Sequence, residues 1–192
     1  MAGNTNHLKL FMLLLGSKAP GRLVEQHDFF FGIATSLKEL LPEIKSFWAE
    51  AGDTIHIDGW REVSVVDGHQ VRIRLRNEIT DSTSDKKLFF INLGGYQPNK
   101  LEEQHYTILT AKPDRAAAVR EAKETLFFKH NGFKGANTHI DEKYGIDVDD
   151  IYQVEEILSA VQKENYHIEL APVEGLSEDT IHLGYLKLSA LK

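Results

Sequence analysis

Residues 9–27 read KLFMLLLGSKAPGRLVEQH, and residues 87–105 read KLFFINLGGYQPNKLEEQH. At an offset of 78 (87 − 9), ten of the nineteen positions are identical. Unrelated segments of ordinary composition would match at roughly one position in such a length. The chain therefore reads as an internal duplication. A second match pairs Thr54-Ile55-His56-Ile57-Asp58 with Asn137-Thr138-His139-Ile140-Asp141, at an offset of 83 (137 − 54). The second copy thus gains five residues, most naturally near His130 to Ala136, because lengthening a loop costs little.

Each copy follows one grammar. An apolar strand (Leu10 to Leu15, Leu88 to Leu93) is ended by Gly16 or Gly94 and followed by a loop marked by Pro20 or Pro98. A second strand follows, Asp28 to Ala34 or Tyr106 to Ala111. Helix one is announced by Ser36 and Glu39 as a capping box. Leu37, Leu40, Leu41, Ile44, Phe47, Trp48 and Ala51 then recur at helical spacing, with Pro42 kinking the helix or shifting its start. Helix two should run from Pro113-Asp114 to Asn131-Gly132. A strand holding His-x-Asp closes each unit.

Beyond that point the copies diverge. The first predicts a hairpin, Val63 to Val66 and Val71 to Leu75, about an Asp67-Gly68 turn. The second predicts a third helix over Asp150 to Asn165, capped by Asp150 and Gln153, then strands near Tyr166 to Ala171 and Thr180 to Leu188. Residues 77–86 read as a linker. The expected fold is α+β (mixed α/β): two β-β-α-β units, 8–76 and 87–192, with an extra C-terminal helix and strands. A unit of this size builds a marginal core alone, so the copies are expected to pack as one pseudo-twofold globule.

Composition narrows the function. The 192 residues are 42% hydrophobic and 27% charged, with a net charge of −7 and no cysteine. Such an acidic chain is a poor counterion-releasing binder of phosphate backbones, so no nucleic-acid partner is expected. Lack of cysteine excludes disulfides, a thiolate nucleophile and cysteine-ligated metals. Leu10 to Leu15 is too short to span a bilayer. It lacks the basic start of a signal peptide, and its mid-chain copy at Leu88 to Leu93 cannot be one. A cytoplasmic protein without membrane contact is the expectation.

Several motifs occur together: Leu15-Gly16, Pro20, Leu23 and Glu25-Gln26-His27; His56-Ile57-Asp58-Gly59-Trp60-Arg61-Glu62-Val63; Leu93-Gly94-Gly95-Tyr96; Phe133-Lys134-Gly135-Ala136; and His139-Ile140-Asp141-Glu142-Lys143-Tyr144-Gly145. In combination they resemble a bacterial domain-of-unknown-function family, fifteen forty-three, from roughly Leu10 to Ala171. The resemblance implies a bacterial source and brings no catalytic role with it.

The residues that could carry chemistry are Glu25, His27, His56 and Asp58, and in the second copy Glu103, His105, His139 and Asp141. In an extended chain, residues two apart project to the same side. Two such strands side by side would bring imidazoles and carboxylates together, a ligand set for zinc, manganese or iron with His27, His56, His105 and His139 as nitrogen donors. The same groups could supply a base with an orienting carboxylate. Against this stands a structural reading, in which both copies keep these residues to satisfy buried backbone groups. Trp60, Arg61 and Tyr96 are candidate ligand contacts near the signature loops.

Other readings are weaker. Residues 141–150 are acidic, yet Lys143 and Gly145 stand at ligand positions of a calcium loop and Ile146 at its required glycine. Arg72, Arg74 and Arg76 make one face of a strand basic, as on a solvated face or a protected edge. Phosphate-binding and dinucleotide glycine loops, Gly-x-Ser-x-Gly and His-Glu-x-x-His are absent. Two functions remain open. The first is a non-catalytic module, a homodimer that binds a small molecule or protein partner and needs no cofactor. The second is a metal-dependent enzyme using the Glu/His/His/Asp set with a divalent ion.

Overall fold

A computed structural model describes residues 8–78, 84–96, 99–124 and 146–191. The chain divides into two compact units, one of residues 1–83 with 158–192 and one of residues 84–157. The first unit opens with β1 (Lys9–Ser17), β2 (Gln26–Ala34), α1 (Leu41–Phe47), β3 (His56–Glu62), β4 (Val65–Val66) and β5 (His69–Leu75). The second holds β6 (Lys87–Tyr96), β7 (Glu103–Lys112), α2 (Arg115–Glu124), β8 (Ile146–Gln153) and α3 (Val154–Ile157). The chain then returns to the first with α4 (Ala160–Asn165), β9 (Tyr166–Pro172) and β10 (His182–Lys187). The described strands form three antiparallel sheets, ordered β10-β3-β1-β2, β4-β5-β9 and β7-β6-β8. This is the expected α+β class. Among the described residues no helix is long and apolar enough to cross a membrane.

In the first unit β1 lies between β2 and β3, and Leu10, Phe11, Met12, Leu13 and Leu15 are all buried. A strand apolar on both faces needs cover on both. On one face Phe11, Leu13 and Leu15 join Phe30, Leu40, Ile44 and Ile57 in a core that α1 closes. Each such side chain contributes about 1.5–3 kcal/mol on burial. Gly16 does not end the strand, as the sequence had indicated; it lies within β1, directly opposite His27 on β2 and His56 on β3. Gly94 likewise lies inside β6.

The β1–β3 ladder slips once. Leu14 faces Gly59 and Leu15 faces Ile57, which leaves Asp58 as an extra, bulged residue. A bulge bends its strand and re-aims a side chain. It also brings Ile57 and Trp60, three residues apart, onto the same core.

Local signals held with adjustments. Glu39 reaches back to Thr35, accepting from its backbone N–H and its Oγ1, each at 2.8 Å. The expected box at Ser36 does not form, for Ser36 makes no side-chain cap bond. Pro42 sits in the first turn of α1, so the helix starts late, after a 3-10 turn over Leu37–Leu40. The hairpin turn is as expected: Asp67 and Gly68 both have positive φ (48° and 69°), the conformation of a two-residue hairpin loop. Arg72, Arg74 and Arg76 are exposed, on a strand that pairs along its length with β9 and on its other side with β4 at His69 and Gln70.

In the second unit Phe89, Ile91 and Leu93 of β6 pack with Ala118 and Ala122 of α2. Asp114 caps α2 by accepting from the Ala117 N–H at 2.7 Å; the expected end at Asn131-Gly132 lies outside the described residues. The expected third helix is not one helix. Asp150 to Gln153 belong to β8, followed by α3 and then α4, and the cap of α4 is Ser159. β8 slips against β6 between Val148 and Asp150, which leaves Asp149 bulged. The two C-terminal strands pair within the first unit, β9 with β5 and β10 with β3, whereas chain order had grouped them with the second.

Candidate metal centre

Opposed residues in an antiparallel pair project to the same face. His27, Gly16 and His56 therefore form a row across β2, β1 and β3, opposite to the face that carries Leu15 and Ile57 into the core. The middle member has no side chain, and the row becomes a cup. Glu25, two residues before His27, and Asp58, two after His56, bring their carboxylates into it. Ligand atoms of Glu25, His56 and Asp58 all lie within 4.8 Å of one another.

The contacts are short. His56 Nε2 lies 2.8 Å from Glu25 Oε1 and 3.4 Å from Asp58 Oδ1. His27 Nε2 lies 3.1 Å from Asp58 Oδ2 and 3.5 Å from Glu25 Oε1. A Cβ on Gly16 would stand 2.6 Å from both Glu25 Oε1 and His56 Nε2, and would collide with Asp58 Oδ2. Glycine inside a strand marks a close approach, and here three charged or lone-pair atoms make it. The centre is graded from inside to outside: the His56 side chain is 6% exposed, Asp58 23%, Glu25 38% and His27 47%.

One ring nitrogen of His56 has a definite role. Nδ1 lies 3.0 Å from the Thr54 carbonyl, which can only accept, so Nδ1 carries a proton. Thr54 is itself fixed: its hydroxyl donates to Ala51 O at 2.7 Å and accepts from Ser17 Oγ at 2.7 Å. In its neutral form His56 would turn a bare Nε2 lone pair towards two carboxylates, 2.8 Å from Glu25 Oε1. That arrangement is repulsive unless a cation, a proton or a metal ion, lies between them. Asp58 Oδ2 is buried without a hydrogen bond; His27 Nε2 is near at 3.1 Å but not aligned to give one. A ligating histidine that donates its second nitrogen to a backbone carbonyl is the usual outer arrangement of a metal site.

The other sequence candidates lie elsewhere. Trp60 faces the core, 6.3 Å from Phe11, and stacks on His182 at 4.0 Å. Arg61 is half-buried near Asp179 and Glu178; burial holds its guanidinium below the ordinary value, and the two acids partly offset this. Tyr96 ends β6 opposite Glu103. In the second unit His105 Nε2 is 3.7 Å from Glu103 Oε2, and Asn92 Nδ2 donates to His105 Nδ1 at 3.2 Å. Opposite Gly94 the pairing places Asp147 of β8, not His139; His139 and Asp141 lie outside the described residues. Sequence reasoning missed Tyr185 of β10, whose ring lies 4.4 Å from that of His56. A Gly-Tyr pair in the last strand was its only signal.

Fold and site together define an α+β protein with a His/carboxylate cluster on one sheet face. Residues 22–73, which include Glu25, His27, His56 and Asp58, match the family model described as Domain of Unknown Function (DUF1543), the family the motifs suggested, over a shorter span than the expected Leu10 to Ala171. The chain is also similar to the crystal structure of a protein, Il1583, from Idiomarina loihiensis, with 22% identity and a TM-score of 0.59. That similarity covers 94% of this chain and 97% of the other, and it shows the fold. No curated protein matches the chain.

Proposed function

We propose that the first unit is the metal centre of a metal-dependent enzyme, with a divalent ion held by Glu25, His56 and Asp58 beside His27. One observation carries this reading: a histidine ring nitrogen and two carboxylates converge over the bare Cα of Gly16. One imidazole with two carboxylates suits zinc, manganese or iron(II). Glu25, His56 and Asp58 would hold the ion with a coordination position open, and the ion would supply a Lewis acid that makes a bound water more acidic. His27 stands at the open rim, its Nε2 3.1 Å from Asp58 Oδ2 and 3.5 Å from Glu25 Oε1, near enough to exchange a proton with a group bound there. Attack of activated water on a carbonyl or phosphoryl group is the reaction class that fits.

The test is calorimetric titration of chelator-treated protein with zinc and with manganese. Asp58→Ala and His56→Ala should each weaken binding by at least about 100-fold, and His27→Ala by roughly tenfold. Unaltered affinity in Asp58→Ala would overturn the assignment and leave these residues as scaffold.

The two units are best read as copies of one ancestral unit. Supporting this are the hairpins β1–β2 and β6–β7, a third strand paired to the first in each, and bulges at Asp58 and Asp149 that fall opposite equivalent steps, Leu14/Leu15 and Asn92/Leu93. In the second copy Asp147 takes the register position of His56, and His105 that of His27.

A further inference from the structure

We infer that strand β10 completes this centre, with Tyr185 as a positioning residue that fixes the plane of the His56 ring. The inference rests on the metal reading. His56 is anchored at two points, Nδ1 on the Thr54 carbonyl and Nε2 among the carboxylates. Both contacts lie on the edge of the ring, and rocking out of its plane is opposed there only by a soft χ2 torsion. The Tyr185 ring, 4.4 Å away centroid to centroid and tilted by 41°, stands against that motion.

Tyr185 is not there to fill a core. It is 63% exposed, on a strand whose residues are almost all exposed. Its placement is built by the backbone. Lys187 pairs with His56, Leu186 with Ile57 and Leu183 with Gly59, so Gly184 and Tyr185 together answer the single residue Asp58. Gly184 has φ +129°, a conformation that side-chain-bearing residues rarely adopt. Two irregularities, one on each side of β3, thus meet at Asp58: one turns a ligand into the cup and the other turns an aromatic ring onto its neighbour.

Cobalt(II) is the probe, titrated into full-length wild type, Tyr185→Phe and Tyr185→Ala, with the visible ligand-field bands and the affinity read together. Tyr185→Phe keeps the ring and should keep the bands and the affinity within about twofold. Tyr185→Ala should shift the bands and weaken binding roughly 10- to 100-fold, the range for residues that orient a metal ligand. The apo melting temperature of each variant reports folding separately. Wild-type bands and affinity in Tyr185→Ala would overturn the inference, as would Tyr185→Phe behaving like Tyr185→Ala, since the hydroxyl would then be the active part. If wild type itself shows no protein-bound cobalt spectrum, the metal reading fails and the inference with it, an outcome distinct from a normal wild type beside a normal alanine variant.

Discussion

One added carbon at Gly16 should abolish the centre. Gly16 is paired on both sides, with His27 and His56, so its Cα cannot withdraw without breaking a ladder. The new methyl would sit 2.6 Å from Glu25 Oε1 and His56 Nε2, against a comfortable separation nearer ~3.5 Å. All three donors must retreat by about 1 Å, while metal–ligand distances tolerate ~0.2 Å. Loss of even part of the set should weaken binding by at least about 100-fold, or ~2.7 kcal/mol. The readout is the thermal shift on adding zinc at about 100 times the wild-type Kd. There the wild type gains ~2.7 kcal/mol, and a variant weakened 100-fold gains ~0.4 kcal/mol. For a chain of this length those gains correspond to shifts of roughly 5–10 °C and 1–2 °C. In the apo state Gly16→Ala should cost only about 1–3 kcal/mol from overpacking, because the half-exposed Glu25 can swing aside. An equal zinc shift in wild type and Gly16→Ala would refute this reasoning.

Three other predictions concern the scaffold. Gln162 accepts from the Ile33 N–H and donates to the Ile33 carbonyl, each at 2.9 Å; Gln162→Ala orphans both groups and should cost about 2–4 kcal/mol in urea unfolding, and a change under ~0.5 kcal/mol would contradict that. Leu13→Ala, at a fully buried site in the first core, should cost about 2–5 kcal/mol with an unchanged urea slope. The Glu39 carboxylate is held below the ordinary glutamate range by the Thr35 backbone N–H and then by the Thr35 hydroxyl. Its stabilising effect should be full above the unfolded glutamate value and fade as pH falls through the lower folded value; an NMR titration placing Glu39 at or above the unfolded value would reverse that sign.

Much of the first unit was legible. The apolar run at Leu10 to Leu15 and the pair Glu25/His27 gave two strands and one face, and His-x-Asp gave the neighbouring ligands. What the sequence hid was the bulge. A bulge inserts one residue, so Ile57 and Trp60 reach one core at a spacing of three, as do Val148 and Ile151 in the second unit. Three is a helical spacing, and with acidic residues beside it β8 was partly read as the start of a helix. Gly16 was read as a stop because glycine usually punctuates a strand; that it makes room for ligand atoms depends on pairing with both neighbours, which no local window contains. Tyr185 was invisible for the same reason, being 129 residues (185 − 56) from the ring it touches.

The most direct measurement is the metal content, by mass spectrometry, of untagged protein purified without chelator, with His27→Ala/His56→Ala alongside. After replenishment with zinc or manganese, the wild type should hold about one tight divalent ion per chain and the double variant none. Equal metal in both proteins, or none in the wild type after incubation with excess, would contradict it.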